Sequence, residues 1–491
     1  MEMSISIGTN SFSMFGELEQ YFDQFRQNTI GHGQIFQTPY GEFPLIYADW
    51  TASGRLYKPI ENKLLSNIAP FYANPHSEET ITGKLTTAAY EKARQVIKKH
   101  VNARESDILI CEGSGTTAAV NKLQRILGLR LPDQLISSVN LPMRKRPVVF
   151  VTHMEHHSNE ISWRETIADV VQVRPNKEGL PDLGHLEELL QRYENREAKI
   201  GAFTACSNVT GIMTPYHEMA RILHKYNGVC FIDFATSAPY VDIDMHPSDE
   251  EKLDAIYFSC HKMLGGPGGT GVLIFCSSLY NRMTPDHPGG GTVLWTNPWG
   301  KHQYLSNIEK REDGGTPPVL QTIKASYAIQ LKEQMGSKHM YNREKELIAL
   351  LLDNLVSTPG IYVFAAERIE RLGIVSFVAK DIHYNLFVKL LNDRYGIQAR
   401  GGCSCAGPYG HYLFSINKQS SKLMTDYLDQ GEQSAKVGWV RLSIHPTMTN
   451  YEIYTIINAI KEIMKFKDKW CDDYVYNEKT NHFTHKKELV T

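Results

Sequence analysis

Cysteine is scarce in this chain, eight residues in 491, and no spacing among them describes a disulfide scaffold. Most lie in apolar, strand-like context, which suits a reducing, cytoplasmic setting. Charge of one sign is equally lacking. With 52 Lys+Arg against 54 Asp+Glu and a net charge of −2, no overall field draws the protein to nucleic acid or to a membrane surface. The one compact basic cluster, Arg144, Lys145 and Arg146 between Pro142 and Pro147, reads as a solvated loop. No stretch approaches the roughly 18 apolar residues of a membrane span. The N-terminal run MEMSISIGTNSFSMFGELEQ lacks a basic segment followed by an apolar one, so a secretory signal is not expected. Internal repeats, heptads and low-complexity tracts are missing too. What remains is a chain long enough to bury a large core, expected to form two domains.

From about Ile46 to Phe275, short β-rich runs alternate with helix-period segments, the pattern of a mainly parallel sheet covered by helices. PVVFVTH, KIGAFTAC, GVCFIDF and AIYFSC are the clearest strands, each ending in polar residues. Between two of them, Thr214 is the expected N-cap of a crossover helix with Pro215 at its first position and a stop at Gly228. Beyond about residue 320 the pattern shifts to longer amphipathic helices. After Asn450, residues Ile453, Ile456, Ile457, Ile460, Ile463 and Met464 recur at helical spacing and should face a core. The final segment from Trp470 is polar and is expected to fray or pack loosely.

The run DAIYFSCHKMLGGPGGTGVLIF carries the most information. It sets Ser259, His261 and Lys262 at the end of an apolar strand, where ligands of open α/β sheets gather. A glycine-rich turn follows, permitting close approach of the backbone to a bound group. A lysine amine confined there could form a Schiff base with a carbonyl. Upstream, EGSGTTAAVNKL puts Thr116 and Thr117 at a helix start, which is either a plain cap or a phosphate site. In THMEHHSNEISW the adjacent His156 and His157 complete no zinc pattern. A flat imidazole there could stack on an aromatic ring, and for His157 a structural hydrogen bond is expected. Asp233 lies in the apolar strand GVCFIDF. It either caps the next turn or pairs with a protonated ring nitrogen, since a buried carboxylate needs a partner. In GIQARGGCSCAGPYGH, Arg400, Cys403 and Cys405 share a loop, where a nucleophilic thiol would depend on thiolate character. Arg441, in GWVRLSIHPT, could clamp a carboxylate with its planar guanidinium.

In this order, the segments resemble the class V branch of the fold-type I pyridoxal phosphate enzymes, and are most similar to cysteine desulfurases and selenocysteine lyases. SCHKMLGGPGGTG is the most specific match. EHHSN, SNVTG, DFATSAP, DGGTP and ARGGCSCA match further motifs in the family's chain order. The resemblance implies an α/β fold: a large domain with a mainly parallel seven-stranded sheet, plus a smaller C-terminal α+β domain. The corresponding division is a segment 1–45 packing on the small domain, a cofactor-binding domain 46–330, a small domain 331–470 and a polar tail 471–491.

Position by position, the resemblance implies pyridoxal 5'-phosphate in Schiff-base linkage to Lys262, with Asp233 on its ring nitrogen and His156 stacked on its face. Thr116, Thr117, Ser259 and His261 would hold the phosphate. Asn208 would lie near the cofactor's phenolic oxygen or the substrate carboxylate. Thr316 would reach the phosphate of a second copy, implying a homodimer. Arg441 and Arg400 would take the carboxylate of a small amino-acid substrate. Cys405 falls at the sulfur-accepting position and implies a possible protein sulfur acceptor. No metal, nucleic acid or membrane partner is expected. Thr236 stands where the family usually has Gln, Cys403 and Ser404 replace the usual His-x of the cysteine loop, and no Tyr-Asn pair follows Arg441. Extra residues occur at the N-terminus, around 130–147 and near 415–437. The expected reaction is desulfuration of L-cysteine to alanine with a persulfide on Cys405. Transamination, epimerisation or selenocysteine lysis are the enzymatic alternatives, with Cys405 incidental. A non-catalytic sulfur carrier or scaffold is the alternative from another class.

Overall fold

Apolar side chains along the strands divide alternately between two cores, which is why these runs carry so few polar residues. Leu109, Phe150, Ile232 and Phe258 pack into one core, while Ile110, Val149, Phe231 and Tyr257 pack into the other. The computed structural model describes residues 10–489 other than 76, 78 and 137. Residues 1–9 of the expected N-terminal segment and the last two of the tail lie outside the described residues. The seven strands run in the order Ile108–Glu112, Gly271–Phe275, Ala255–Ser259, Val229–Asp233, Lys199–Thr204, Val148–Thr152 and Asp169–Val173. Only Gly271–Phe275 runs against its neighbours; the other pairings are parallel. The carboxyl ends of the parallel strands therefore meet along one edge, as crossover helices require.

A second, antiparallel sheet has the order Ile361–Val363, Ile374–Ala379, Trp439–Ser443, Arg400–Gly402. Its core is covered by the helices Ser337–Val356, Tyr384–Tyr395 and Asn450–Trp470. The expected stripe on the last helix is buried from Ile453 to Ile463, with Met464 packed at its edge. That helix starts in a capping box, Thr449 Oγ1 accepting from the Glu452 N–H at 3.0 Å and Glu452 Oε2 accepting from the Thr449 N–H at 2.7 Å. Phe22, Phe25 and Trp50 join the same core from the N-terminal side. Among the described residues no helix is long and apolar enough to cross a membrane.

Two local expectations change. The crossover helix runs Tyr216–Lys225 with Pro215 at its N-cap. Thr214 does not cap it, because its hydroxyl donates to the Thr204 carbonyl at 2.6 Å and ties the turn to the strand instead. Among the described residues the polar tail does not fray: Tyr474–Asn477 and His482–His485 form an antiparallel hairpin. Its polar groups find partners, with Tyr474 donating to Asp393 at 3.0 Å. Beside it the Arg394 guanidinium lies between the rings of Tyr40 and Trp470, at 3.8 and 4.0 Å.

One short segment stitches the two sheets together. Ile46–Tyr47 pairs in parallel with Ile397–Gln398, and the Ser443 N–H donates to the Ala48 carbonyl at 2.7 Å. A few residues on, the Gly54 N–H donates to the His261 carbonyl at 2.9 Å, and the Gly265 N–H to the Arg55 carbonyl at 2.7 Å. A side chain at Gly54 would collide with the Met263 carbonyl, so only glycine permits this approach.

Candidate active site

At the carboxyl ends of the strands lies a cavity of about 320 Å³. Lys262, Asp233, His156, Thr116, Thr117, Asn208, Thr236, Ser259, His261, Arg400, Cys405 and Arg441 all line it. Residues as far apart in sequence as Thr116 and Arg441 thus reach one space. Thr316 does not: it borders a neighbouring cavity that shares only Ser114 and His261 with the first.

Lys262 ends a single 3₁₀ turn, Cys260–Lys262, that begins where its strand stops at Ser259. Its ammonium has no hydrogen-bonding partner in the protein among the described residues. Burial pushes it down to about 8, with the Asp233 carboxylate pulling the other way and Arg441 and Arg400 adding to the fall. Asp233 is only 3% exposed. Burial pushes its carboxyl up to about 6, against the Ala235 N–H bond at 2.8 Å and the Lys262 charge. His156 Nδ1 accepts from the Ser158 N–H at 3.1 Å, capping the helix His157–Arg164. Burial and then the Lys262 charge push this imidazole down to about 3, so the ring facing the cavity is neutral. Underneath, Glu155 is held by Thr152, Thr204 and Asn159, and burial pushes it up to about 8.

The helix Thr116–Ile126 points its N-terminus at the cavity. The Thr116 N–H donates to Ser259 Oγ at 2.8 Å, and Thr117 Oγ1 lies 2.7 Å from Ser158 Oγ. A Cβ at Gly115 would stand 2.9 Å from Ser259 Oγ and 3.1 Å from the His261 ring, so the backbone approaches closely here. Hydroxyls, helix-start amides and an imidazole converge as a phosphate requires.

Opposite stands the cysteine loop. Ser404 and Cys405 both adopt left-handed backbone, with φ of 51° and 56°. The loop is held by Asn208 Nδ2 donating to the Ser404 carbonyl at 2.7 Å and the His157 N–H donating to the Cys405 carbonyl at 2.8 Å. His157 Nε2 in turn accepts from the Gly407 N–H at 2.9 Å, a structural bond. Cys405 is exposed and Cys403 half-buried.

Sequence reasoning missed Asp49. Its carboxylate pairs with Arg441 at 2.9 Å and with Arg400 at 2.9 Å. An acid inside the run IYADW carries the same signal that marked Asp233, but its partners lie more than 350 residues away. Ser158, Thr204 and Ser404 also border the cavity without having been singled out. Arg441 is buried, so Asp49→Ala leaves a cation without its counter-charge. The expected loss is roughly 3 kcal/mol of stability, read as a lowered urea midpoint at unchanged slope. A midpoint equal to the parent's would show that the pair does not stabilise the fold.

The residues fit a phosphate-bearing aromatic aldehyde. Besides the phosphate cradle, the cavity wall holds three buried polar atoms with no partner among the described residues: Thr51 Oγ1, Ser404 Oγ and Arg441 Nε. Buried polar groups of this kind call for a hydrogen-bonding ligand. A lysine and a buried carboxylate at the carboxyl ends of such a sheet, facing a helix start, are the arrangement of a fold-type I, pyridoxal-phosphate-dependent enzyme.

Residues 46–456 match the family described as Aminotransferase class-V, and the chain belongs to that family. A probable cysteine desulfurase of Halalkalibacterium halodurans is 29% identical over 378 residues, covering 75% of this chain and 86% of that protein. One from Staphylococcus aureus is 26% identical over 426 residues, covering 86% of this chain and 92% of its own. Among solved structures, the cysteine desulfurase CsdA of Escherichia coli, in an S-sulfonic acid form, superposes with a TM-score of 0.70 at 23% identity, covering 91% of this chain and 98% of that one. The apo cysteine desulfurase of Thermococcus onnurineus NA1 superposes with a TM-score of 0.69 at 22% identity, covering 86% and 95%.

Proposed function

We propose that the protein is a cysteine desulfurase that binds pyridoxal phosphate on Lys262 and converts L-cysteine to alanine, leaving a persulfide on Cys405. The observation that carries this reading is the single cavity bordered by Lys262, Asp233, Arg441 and Cys405. Bound there, pyridoxal phosphate supplies an electron sink for negative charge at the substrate's α-carbon. Lys262 holds the cofactor and, when free, moves protons. Its depressed basicity suits that work near neutral pH. Asp233 keeps a proton on the ring nitrogen. The neutral His156 covers the ring face, with Thr236 and Asn208 at its edge. Thr116, Thr117, Ser259 and His261 bind the phosphate.

The substrate carboxylate goes to Arg441 and Arg400, exchanging with Asp49. Cys405, as thiolate, then attacks the substrate sulfur. The carbon–sulfur bond breaks, its electron pair stays with carbon, which takes up a proton to become the methyl of alanine, and the sulfur remains on Cys405. The persulfide passes to an acceptor thiol. Thr316, in the adjoining cavity with Ser114 and His261, supports a homodimer in which it reaches the other copy's phosphate. Eight free cysteines suit a reducing, cytoplasmic compartment. The domain division at about residue 330, with its N-terminal segment and tail, belongs to the same reading.

The test is product analysis of the holoenzyme with L-cysteine and a reductant: alanine and sulfide should appear in equal amounts. A keto acid, an inverted amino acid, or activity confined to selenocysteine would overturn the assignment.

A further inference from the structure

On the other side of the cysteine loop lies a second cavity, of about 690 Å³. It shares Arg400, Ser404 and Cys405 with the first, so Cys405 stands in a wall common to both. The loop's two left-handed residues and its bonds to Asn208 and His157 hold that partition in place. The opposite side is formed by the helix Tyr384–Tyr395 and by residues 480–483 of the C-terminal hairpin. Asn481 is fastened there, its carbonyl accepting from Asn385 at 2.6 Å and its amide donating to Tyr384 Oη at 2.8 Å. The hairpin part of this side, residues 480–483, lies beyond residue 456, where the family match ends.

The chemistry of the lining selects its ligand. No Asp or Glu borders the cavity among the described residues, whereas five amide side chains, two lysines, His482 and Arg400, the last paired with Asp49, do. Lys389 is already engaged by Asp393 at 3.2 Å and Glu488 at 3.0 Å. Lys436 has no carboxylate within ion-pair distance among the described residues. Amides and an uncompensated lysine favour an anionic solute rich in hydrogen-bonding groups. The volume is that of a small-molecule site, and the reactive group in common with the substrate cavity is a thiol.

We propose that this second cavity binds a low-molecular-mass peptide thiol bearing carboxylates, which takes the sulfur from Cys405. The inference rests on the reading of Cys405 as persulfide carrier. In the step, the acceptor thiolate attacks the outer sulfur of the Cys405 persulfide. The enzyme's sulfur–sulfur bond breaks with its electron pair returning to Cys405, and a new one forms on the acceptor. One persulfide replaces another, with no external oxidant or reductant. Substrate can then enter from one side of Cys405 while sulfur leaves on the other.

The probe is glutathione, with S-methylglutathione as a partner that binds without reacting. After one turnover with L-cysteine, the rate of glutathione persulfide formation should saturate with glutathione. Lys436→Glu should raise the half-saturating concentration about tenfold or more, since it replaces one charge contact by a repulsion, while leaving first-turnover alanine unchanged. S-methylglutathione should bind in calorimetry without L-cysteine and should compete. A rate that rises linearly with glutathione and is the same in Lys436→Glu, or transfer only to a protein cysteine, overturns the proposal. Absence of first-turnover alanine would instead sink the desulfurase reading, and S-methylglutathione binding would still decide the cavity.

Discussion

Lys262→Ala is expected to lower turnover by at least about a thousandfold, since in the proposed reaction Lys262 is both the covalent anchor and the proton carrier. Borohydride reduction of the parent followed by peptide mapping should find the cofactor on Lys262, and the variant should yield no adduct. Folding should survive, because the ammonium makes no hydrogen bond that the substitution would orphan. Its charge is disfavoured in the folded chain, where burial holds it down to about 8, whereas an unfolded lysine keeps its proton to about 10.4. Between those values the unfolded chain binds more protons, so the apoenzyme should gain stability as pH rises through that window, and the variant should lose this slope. The same neutral amine is the nucleophile in cofactor loading. Reconstitution of the apoenzyme should therefore accelerate with pH and level off above about 8. A variant that still turns over, or loading independent of pH, would remove Lys262 from its role.

Cys405→Ser should reduce alanine and sulfide production by roughly a hundredfold or more, because a hydroxyl does not take up sulfur as a thiolate does. The absorption of the bound cofactor should stay as it is, since the loop is fastened by the Cys405 carbonyl and the Ser404 carbonyl rather than by the thiol. In the parent, mass spectrometry after L-cysteine should find one additional sulfur on the peptide holding Cys405. Undiminished sulfide release by Cys405→Ser would sink the persulfide step while leaving the cofactor site untouched. Cys403→Ser separates the two thiols: half-buried on the second cavity, Cys403 has no part in the step as written, and its loss should leave the first turnover intact.

The lysine end of the site was legible because polar residues at the tips of apolar strands stand out against their surroundings. Lys262 after AIYFS, Asp233 in VCFID and the helix start at Thr116 all carry that contrast within a few residues. The carboxylate clamp was legible only by halves. Arg400 was visible in the glycine-rich cysteine loop and Arg441 in a strand-like run, but Asp49, which holds both, could not be matched to them, because nothing local reports a partner hundreds of residues away. Thr214 looked like a cap because Thr-Pro favours one, and the competing acceptor at Thr204 belongs to the tertiary structure. The tail misled through composition: Tyr474, Asp393, Arg394 and Trp470 satisfy one another only once the hairpin and helix have met. Nor could sequence indicate that Cys405 borders two cavities, which depends on where the hairpin docks.

The stitching segment also fixes an order of assembly. A ribosome delivers this chain from its N-terminus, so the strands and the lysine turn emerge while Asp49 still has neither of its arginines. Arg441 is joined 392 positions later, and until then the carboxylate clamp, the cysteine wall and the second cavity do not exist. Pairings of such long separation form late and slowly. On the nascent chain Lys262, Asp233 and the helix start at Thr116 are thus in place well before Arg441 arrives to pair with Asp49.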